Sequence, residues 1–443
     1  MPARTAQFVV GAIPKTRIIR SLRRSAVLGI CFAFAVLLAS PADAGGSASS
    51  DPMVAEARAI HERVFTLDSH VDIPFVFGTD LADPGDDGSW QVDLPKMAAG
   101  GLDGAFFVVY VGQRERTIEG YGRATTDALV KFEAIGRMTE DYAEQIGLAD
   151  TAAEARRLHE AGRLVALIGI ENGFVIGEDI ALLARYRELG ARYMTLTHNG
   201  HNAIGDSAQP DSELGDEDAE HGGLSEFGRQ VVGEMNRLGI LIDVSHIAPA
   251  TLIDAIAASA APVIASHSNA RALIDHPRNL DDEQLRAIAA SGGVIQTVAY
   301  PTHLITYPPE QTEADWAFHE EWGLMGHDDW RVLERDEPHR VAYEAAYDAL
   351  MARWPEPSVA DLVDHIDHMV GVVGVDHVGI SSDFGGGGGV AGWRHAGEGF
   401  NVTLELARRG YSEAEIAKLW GGNLLRALED AERISTDLQE TVN

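Results

Sequence analysis

Residues 241–280, LIDVSHIAPATLIDAIAASAAPVIASHSNARALIDHPRNL, hold two short apolar runs that stop on the same dipeptide, Ser245-His246 and Ser266-His267. Runs of this length and composition, 241–244 and 262–265, read as buried strands, and the Ala- and Ile-rich stretch 248–259 between them reads as a helix. A strand-helix-strand crossover makes its two strands parallel neighbours. The two imidazoles, twenty-one positions apart, therefore emerge side by side at the carboxyl edge of a parallel sheet, where α/β sheets and barrels gather their chemistry. A lone histidine at a strand end ordinarily caps its strand and meets a backbone partner. Two in register argue for a shared task.

The same pattern recurs along the chain. A helix over 54–64 leads into Phe65-Thr-Leu-Asp-Ser-His-Val-Asp72, where strand alternation puts His70 and Asp72 on one face as a compact two-ligand arm. A second apolar strand covers 104–111, and 125–162 reads as one long helical region with no role beyond covering the sheet. The run 164–170 ends on Glu171. A carboxylate so placed is costly unless it is paired or bound to a cation, which makes Glu171 a candidate bridging ligand; the plain alternative is an exposed loop glutamate. The strand 192–197 ends on His198, and a Gly- and acid-rich loop over 200–223 arches beyond it. After the two Ser-His strands come Arg271 and Arg278, a strand at 292–299, and a last strand at 376–384 that carries Asp383.

Eight strands separated mostly by helices are the count of a closed (β/α)8 barrel of the TIM type. Residues 301–357, rich in Trp, His, Glu and Asp, break the rhythm and read as an insertion before the last strand; His319, His327 and His339 within it are left without a role. The Gly-rich turn 385–389 lacks the Lys and Ser/Thr of a phosphate-binding loop.

Residues 1–44 stand apart from the expected fold. Arg17, Arg20, Arg23 and Arg24 precede an apolar run over 26–39, and Ala42-Asp43-Ala44 supplies small residues for cleavage, the three parts of a signal peptide. An uncleaved anchor is the alternative. The expected product is a secreted or periplasmic protein, 45–443, with one barrel domain and no stable membrane anchor. The sole cysteine, Cys31, falls in the removed segment, so neither a disulfide nor a thiol nucleophile is expected. Of 35 Lys/Arg and 68 Asp/Glu in the whole chain, six and one lie in 1–44, which leaves 29 − 67 = −38. A surface so acidic repels nucleic acid and anionic membranes.

His70, Asp72, Glu171, His246 and His267 form a nitrogen-and-oxygen set without thiolate, which suits zinc, and manganese or iron less well. With Glu171 spanning two ions, a shared water becomes hydroxide near neutral pH and a carbonyl is polarised. Asp383 is placed to carry the proton from nucleophile to leaving amine, and His198 to donate to an oxyanion. Arg278 is placed to clamp a substrate carboxylate, although a surface salt bridge would equally account for it.

Taken together, Asp68-Ser-His-Val-Asp72, Gly169-Ile-Glu171, Thr195-Leu-Thr-His198, Ile242-Asp-Val-Ser-His246, Ser266-His-Ser268, Pro277-Arg-Asn279, Asp376-His-Val-Gly379 with Asp383-Phe384, and Gly421-Gly-Asn423 resemble the membrane dipeptidase (renal dipeptidase) family of zinc hydrolases, in the family's order. The resemblance implies a (β/α)8 barrel with two zinc ions per chain, one held by His70 and Asp72, the other by His246 and His267, bridged by Glu171. It also implies His198 and Arg278 as substrate contacts, Asp383 as proton shuttle, homodimers, and dipeptide substrates with a free C-terminal carboxylate, often with a D- or dehydro-residue there. The chain departs from the family's usual Glu-Gly-Gly-His with Glu171-Asn-Gly-Phe174, and from Asp-Phe-Asp-Gly with Asp383-Phe-Gly-Gly386. Two other readings use the same residues: an amidohydrolase acting on N-acyl amino acids or lactams, and a non-catalytic metal-containing protein that captures peptides.

Overall fold

The apolar runs become parallel strands in the computed structural model, which describes residues 51–442. The expected signal segment, 1–44, lies outside the described residues. The strands are β1 (Leu67–Asp72), β2 (Gly104–Tyr110), β3 (Ile146–Leu148), β4 (Leu164–Glu171), β5 (Ala191–Thr195), β6 (Leu241–Asp243), β7 (Val263–Ala265), β8 (Val294–Val298) and β9 (Val378–Ser381). They hydrogen-bond in the order β1-β2-β4-β5-β6-β7-β8-β9. The ends of this sheet meet: Val71 bridges Phe384, the Asp72 amide donates to Phe384 O at 2.8 Å, and the Asp383 amide donates to His70 O at 3.1 Å. The result is the nearly closed (β/α)8 barrel expected.

Alternation along each strand sorts side chains into two sets, as barrel closure requires. Phe106 and Val108 of β2 pack inward with Val165, Leu167, Tyr193, Leu241, Ile264 and Val294, joined by Leu424, Leu425 and Leu428 of the last helix, Asn423–Val442. Phe107 and Val109 point outward into the layer shared with the surrounding helices. Those helices begin and end where local chemistry dictates. Ser225 accepts the Gly228 amide at the start of Glu226–Leu238, which stops at Gly239 with φ of 68°.

The long helical region expected over 125–162 is in fact helix Ile118–Asp141, strand β3, and helix Ala152–Glu160. Ile146-Gly147-Leu148 is too short a run to stand out between two helix-rich stretches. It pairs with β4 outside the barrel path, making nine strands among the described residues. The insertion forms helices Pro301–Leu304, Pro309–Trp322, His327–Leu333 and Glu337–Met351 around a small core of Leu324, Leu333 and Tyr343. Charge holds it to the barrel. Asp328 accepts from Arg114 and Arg123, Arg331 donates to Asp127 at 2.9 Å, and Glu334 accepts the Phe75 amide at 2.8 Å. Among the described residues no helix is long and apolar enough to cross a membrane.

Inside the barrel Gly169 of β4 stands in register with Tyr193 of β5, and a Cβ at position 169 would lie 2.1 Å from Tyr193 Cζ. Gly169→Ala is therefore an overpacking change, expected to cost about 1–3 kcal/mol. Denaturant unfolding checks it: the midpoint should fall at unchanged slope.

Candidate functional site

The carboxyl ends of β1, β4, β6 and β7 bring five side chains to one rim: His70 and Asp72, Glu171, His246, and His267. Glu171 sits at the centre with its two oxygens facing different groups. Oε2 is 3.5 Å from His70 Nε2, while Oε1 is 3.0 Å from His246 Nε2 and 3.4 Å from His267 Nε2. His70 Nε2 also lies 3.5 Å from Asp72 Oδ2 and 3.9 Å from Asp383 Oδ1. The two imidazoles of the paired Ser-His strands meet edge on, Nε2 to Nε2, at 2.8 Å.

The remaining residues singled out by sequence stand around this cluster. His198, after β5, has Nε2 3.6 Å from Glu171 Oε1, and its ring lies 4.1 Å from that of His246 and 4.8 Å from that of Tyr110. Arg278 is buried, and among the described residues no carboxylate comes within ion-pair distance; its guanidinium makes one long hydrogen bond, to His267 O at 3.4 Å. Among the described residues this arginine forms no surface salt bridge. Within the insertion, His319 bonds to Asp315 O and to the Tyr343 hydroxyl, and the His339 ring lies against Trp322.

Backbone strain collects here. Only three non-glycine residues among those described have positive φ: Asn172 at 81°, His246 at 66° and Asp383 at 59°. Such conformations cost of order 1–3 kcal/mol each and persist where surroundings over-determine them. Asn172, one of the departures from the family's pattern, shows how. Its side-chain amide donates to Val111 O and Gln113 Oε1, and its oxygen accepts the Phe174 amide, all at 3.1 Å, so the turn that aims Glu171 is tied on both sides. Gly385, the other departure, has φ of 81°, and a Cβ there would lie 2.4 Å from Asp72 O.

Electrostatics follow from the crowding of acids and imidazoles. Burial would push the Glu171 carboxyl up, but His70, His198, His246 and His267 outweigh it and hold it well below the usual range. For His70, burial pulls downward and is overcome by Glu171 and Asp72, so its proton affinity rises well above normal. Burial holds His246 and His267 well below their usual value, helped by Arg278 and His198 in the first case and by His70 in the second. Asp383 is pushed well above the carboxylate range by burial and by Asp72 and Glu171, against the pull of His70 and Arg278.

These features fit a divalent cation. His70 Nε2 and Asp72 Oδ1 are buried without a hydrogen-bond partner. Three overlapping sets have donor atoms close enough to share an ion: His70, Glu171 and His267; Glu171, His198 and His246; and His70, Asp72 and Asp383. A cation would satisfy the orphaned atoms and supply the positive charge that the carboxylates draw onto His70.

Sequence reasoning missed the residues behind this cluster. Tyr193, Asp243 and Asn199 touch His70, Ser266 and His246 respectively. Strand alternation, which turns Tyr193 and Thr195 to the same face, was the available signal.

The chain is similar in sequence and fold to known proteins. Dipeptidase aclJ of Aspergillus oryzae is 31% identical over 357 residues, covering 80% of this chain and 72% of that protein. Dipeptidase verJ of Clonostachys rogersoniana is 29% identical, covering 79% and 78%. Among solved structures, the probable dipeptidase PvdM from Pseudomonas aeruginosa is 34% identical with a TM-score of 0.76, covering 86% of this chain and 99% of that one. The profile of the membrane dipeptidase family matches residues 54–442, nearly the whole described chain. With that span of sequence and a barrel of this kind in common, the chain belongs to the membrane dipeptidases, peptidase family M19.

Proposed function

We propose that the protein is a dinuclear zinc dipeptidase that hydrolyses the peptide bond of dipeptides bearing a free C-terminal carboxylate. The observation that carries this reading is the split of Glu171, one oxygen toward His70 and the other toward His246 and His267. One zinc ion would be held by His70 and Asp72 and the second by His246 and His267, with Glu171 shared. Bound there, the pair supplies Lewis acidity to the scissile carbonyl and lowers the pKa of water toward neutrality.

The protein's own side chains do the rest. Arg278, buried with no acid partner among the described residues, offers its guanidinium to the substrate carboxylate and so fixes which bond lies at the cluster. His198 donates a hydrogen bond to the carbonyl oxygen as negative charge develops on it. Asp383 takes the proton released by the attacking water and passes it to the leaving nitrogen as the C–N bond breaks, which frees two amino acids.

Three outcomes are expected. Release of two amino acids from a dipeptide panel should cease on chelation and return with added zinc, whereas N-acyl amino acids as the better substrates would favour the amidohydrolase alternative. Asp383→Asn should lower kcat by about 10²–10⁴-fold at unchanged zinc content; full turnover in that variant would remove the proton-carrying role. Arg278→Met should lower kcat/KM roughly 10- to 150-fold for free dipeptides, the worth of a charge-assisted hydrogen bond. Dipeptides amidated at the C-terminus should barely distinguish the variant from the parent.

A further inference from the structure

A neutral imidazole carries one N–H and one lone pair, and only the lone-pair nitrogen can bind a metal. Which nitrogen faces the cluster therefore depends on what holds the other. Tyr193, fully buried, has its hydroxyl oxygen 3.1 Å from Ser69 O and 2.9 Å from His70 Nδ1. The carbonyl can only accept, so it takes the single phenolic hydrogen, and the phenol oxygen is left to accept from His70 Nδ1–H. That leaves the lone pair on Nε2, the nitrogen facing Asp72 and Glu171.

The same logic recurs at His267 with different residues. Ser266 Oγ donates to Asp243 Oδ2 at 2.6 Å and stands 2.7 Å from His267 Nδ1. Asp243 also accepts from the Ser245 and Ser266 amides and the Thr195 hydroxyl, so this carboxylate is fixed as an acceptor on every side. The serine hydrogen is thereby committed, and its oxygen must accept from His267 Nδ1–H.

We infer that Tyr193, and Asp243 acting through Ser266, are positioning residues that set the His70 and His267 tautomers and present Nε2 of each ring to the metal centre. The inference rests on the zinc reading proposed above. The barrel is built around the first relay: Gly169 leaves open the space that the Tyr193 ring fills on its way to β1.

The test is zinc binding to the metal-free full chain, by competition with a chromophoric chelator, for the parent, Tyr193→Phe, Ser266→Ala and the double variant. The parent should take two ions per chain. Each single variant should weaken one binding step about 10- to 100-fold, as loss of a partner behind a metal-binding histidine does; the double variant should weaken both. Thermal unfolding of the metal-free proteins checks that each variant folds. Parental affinity at both steps in the two single variants overturns the inference while leaving the zinc reading intact. Equal weakening of both steps by each single variant also overturns it, since a general loosening of the barrel would act that way. A parent that binds no zinc removes the zinc reading and the inference together.

Discussion

Acidic and imidazole groups packed at one rim of a nearly closed barrel set the terms for the rest of the molecule. Asp72, Glu171 and Asp383 lie among four imidazoles, largely out of water. Isolated, each carboxylate would pay heavily for that burial. Together they raise the proton affinity of His70, while the imidazoles around Glu171 hold its carboxyl low. An arrangement so dependent on positive charge, with orphaned donor atoms facing inward, is the physical basis for proposing that metal ions belong there.

The barrel makes this crowding possible, because parallel strands joined by helices all finish at the same end. His70 and His267 are nearly two hundred positions apart in the chain, yet their rings are 4.1 Å apart. Rigidity then has to come from outside the cluster. The left-handed turns at Asn172, His246 and Asp383 show where the backbone is bent against its preference to aim a side chain. The hydrogen bonds from Asn172 to Val111 and Gln113 show one way in which that bend is held.

Much of this was legible in the sequence because the signals were local. The His70-Val-Asp72 spacing, the repeated Ser-His strand ends and a glutamate closing an apolar run each need only period-two alternation and a parallel crossover. All eight residues that the sequence singled out, Arg278 among them on its place after a strand rather than on alternation, meet around the one rim; the work assigned to each is proposed. What stayed hidden depends on distances no local pattern encodes. Ile146–Leu148 is a three-residue strand between helices. Tyr193 gains its meaning only from a histidine 123 positions away. The attachment of the insertion rests on charges such as Asp328 and Arg331, which as sequence look like any solvated helix face.

The pairing of Gly169 with Tyr193 has a consequence for how such barrels can vary. An absent side chain on one strand and a bulky ring on the next are two halves of one steric unit. Neither position can drift independently. A chimaera that exchanged β5 for a strand with a small residue there would leave a void behind His70, and one that exchanged β4 for a strand with a larger residue would collide with the ring. Recombination between related barrels should therefore succeed only where both strands travel together.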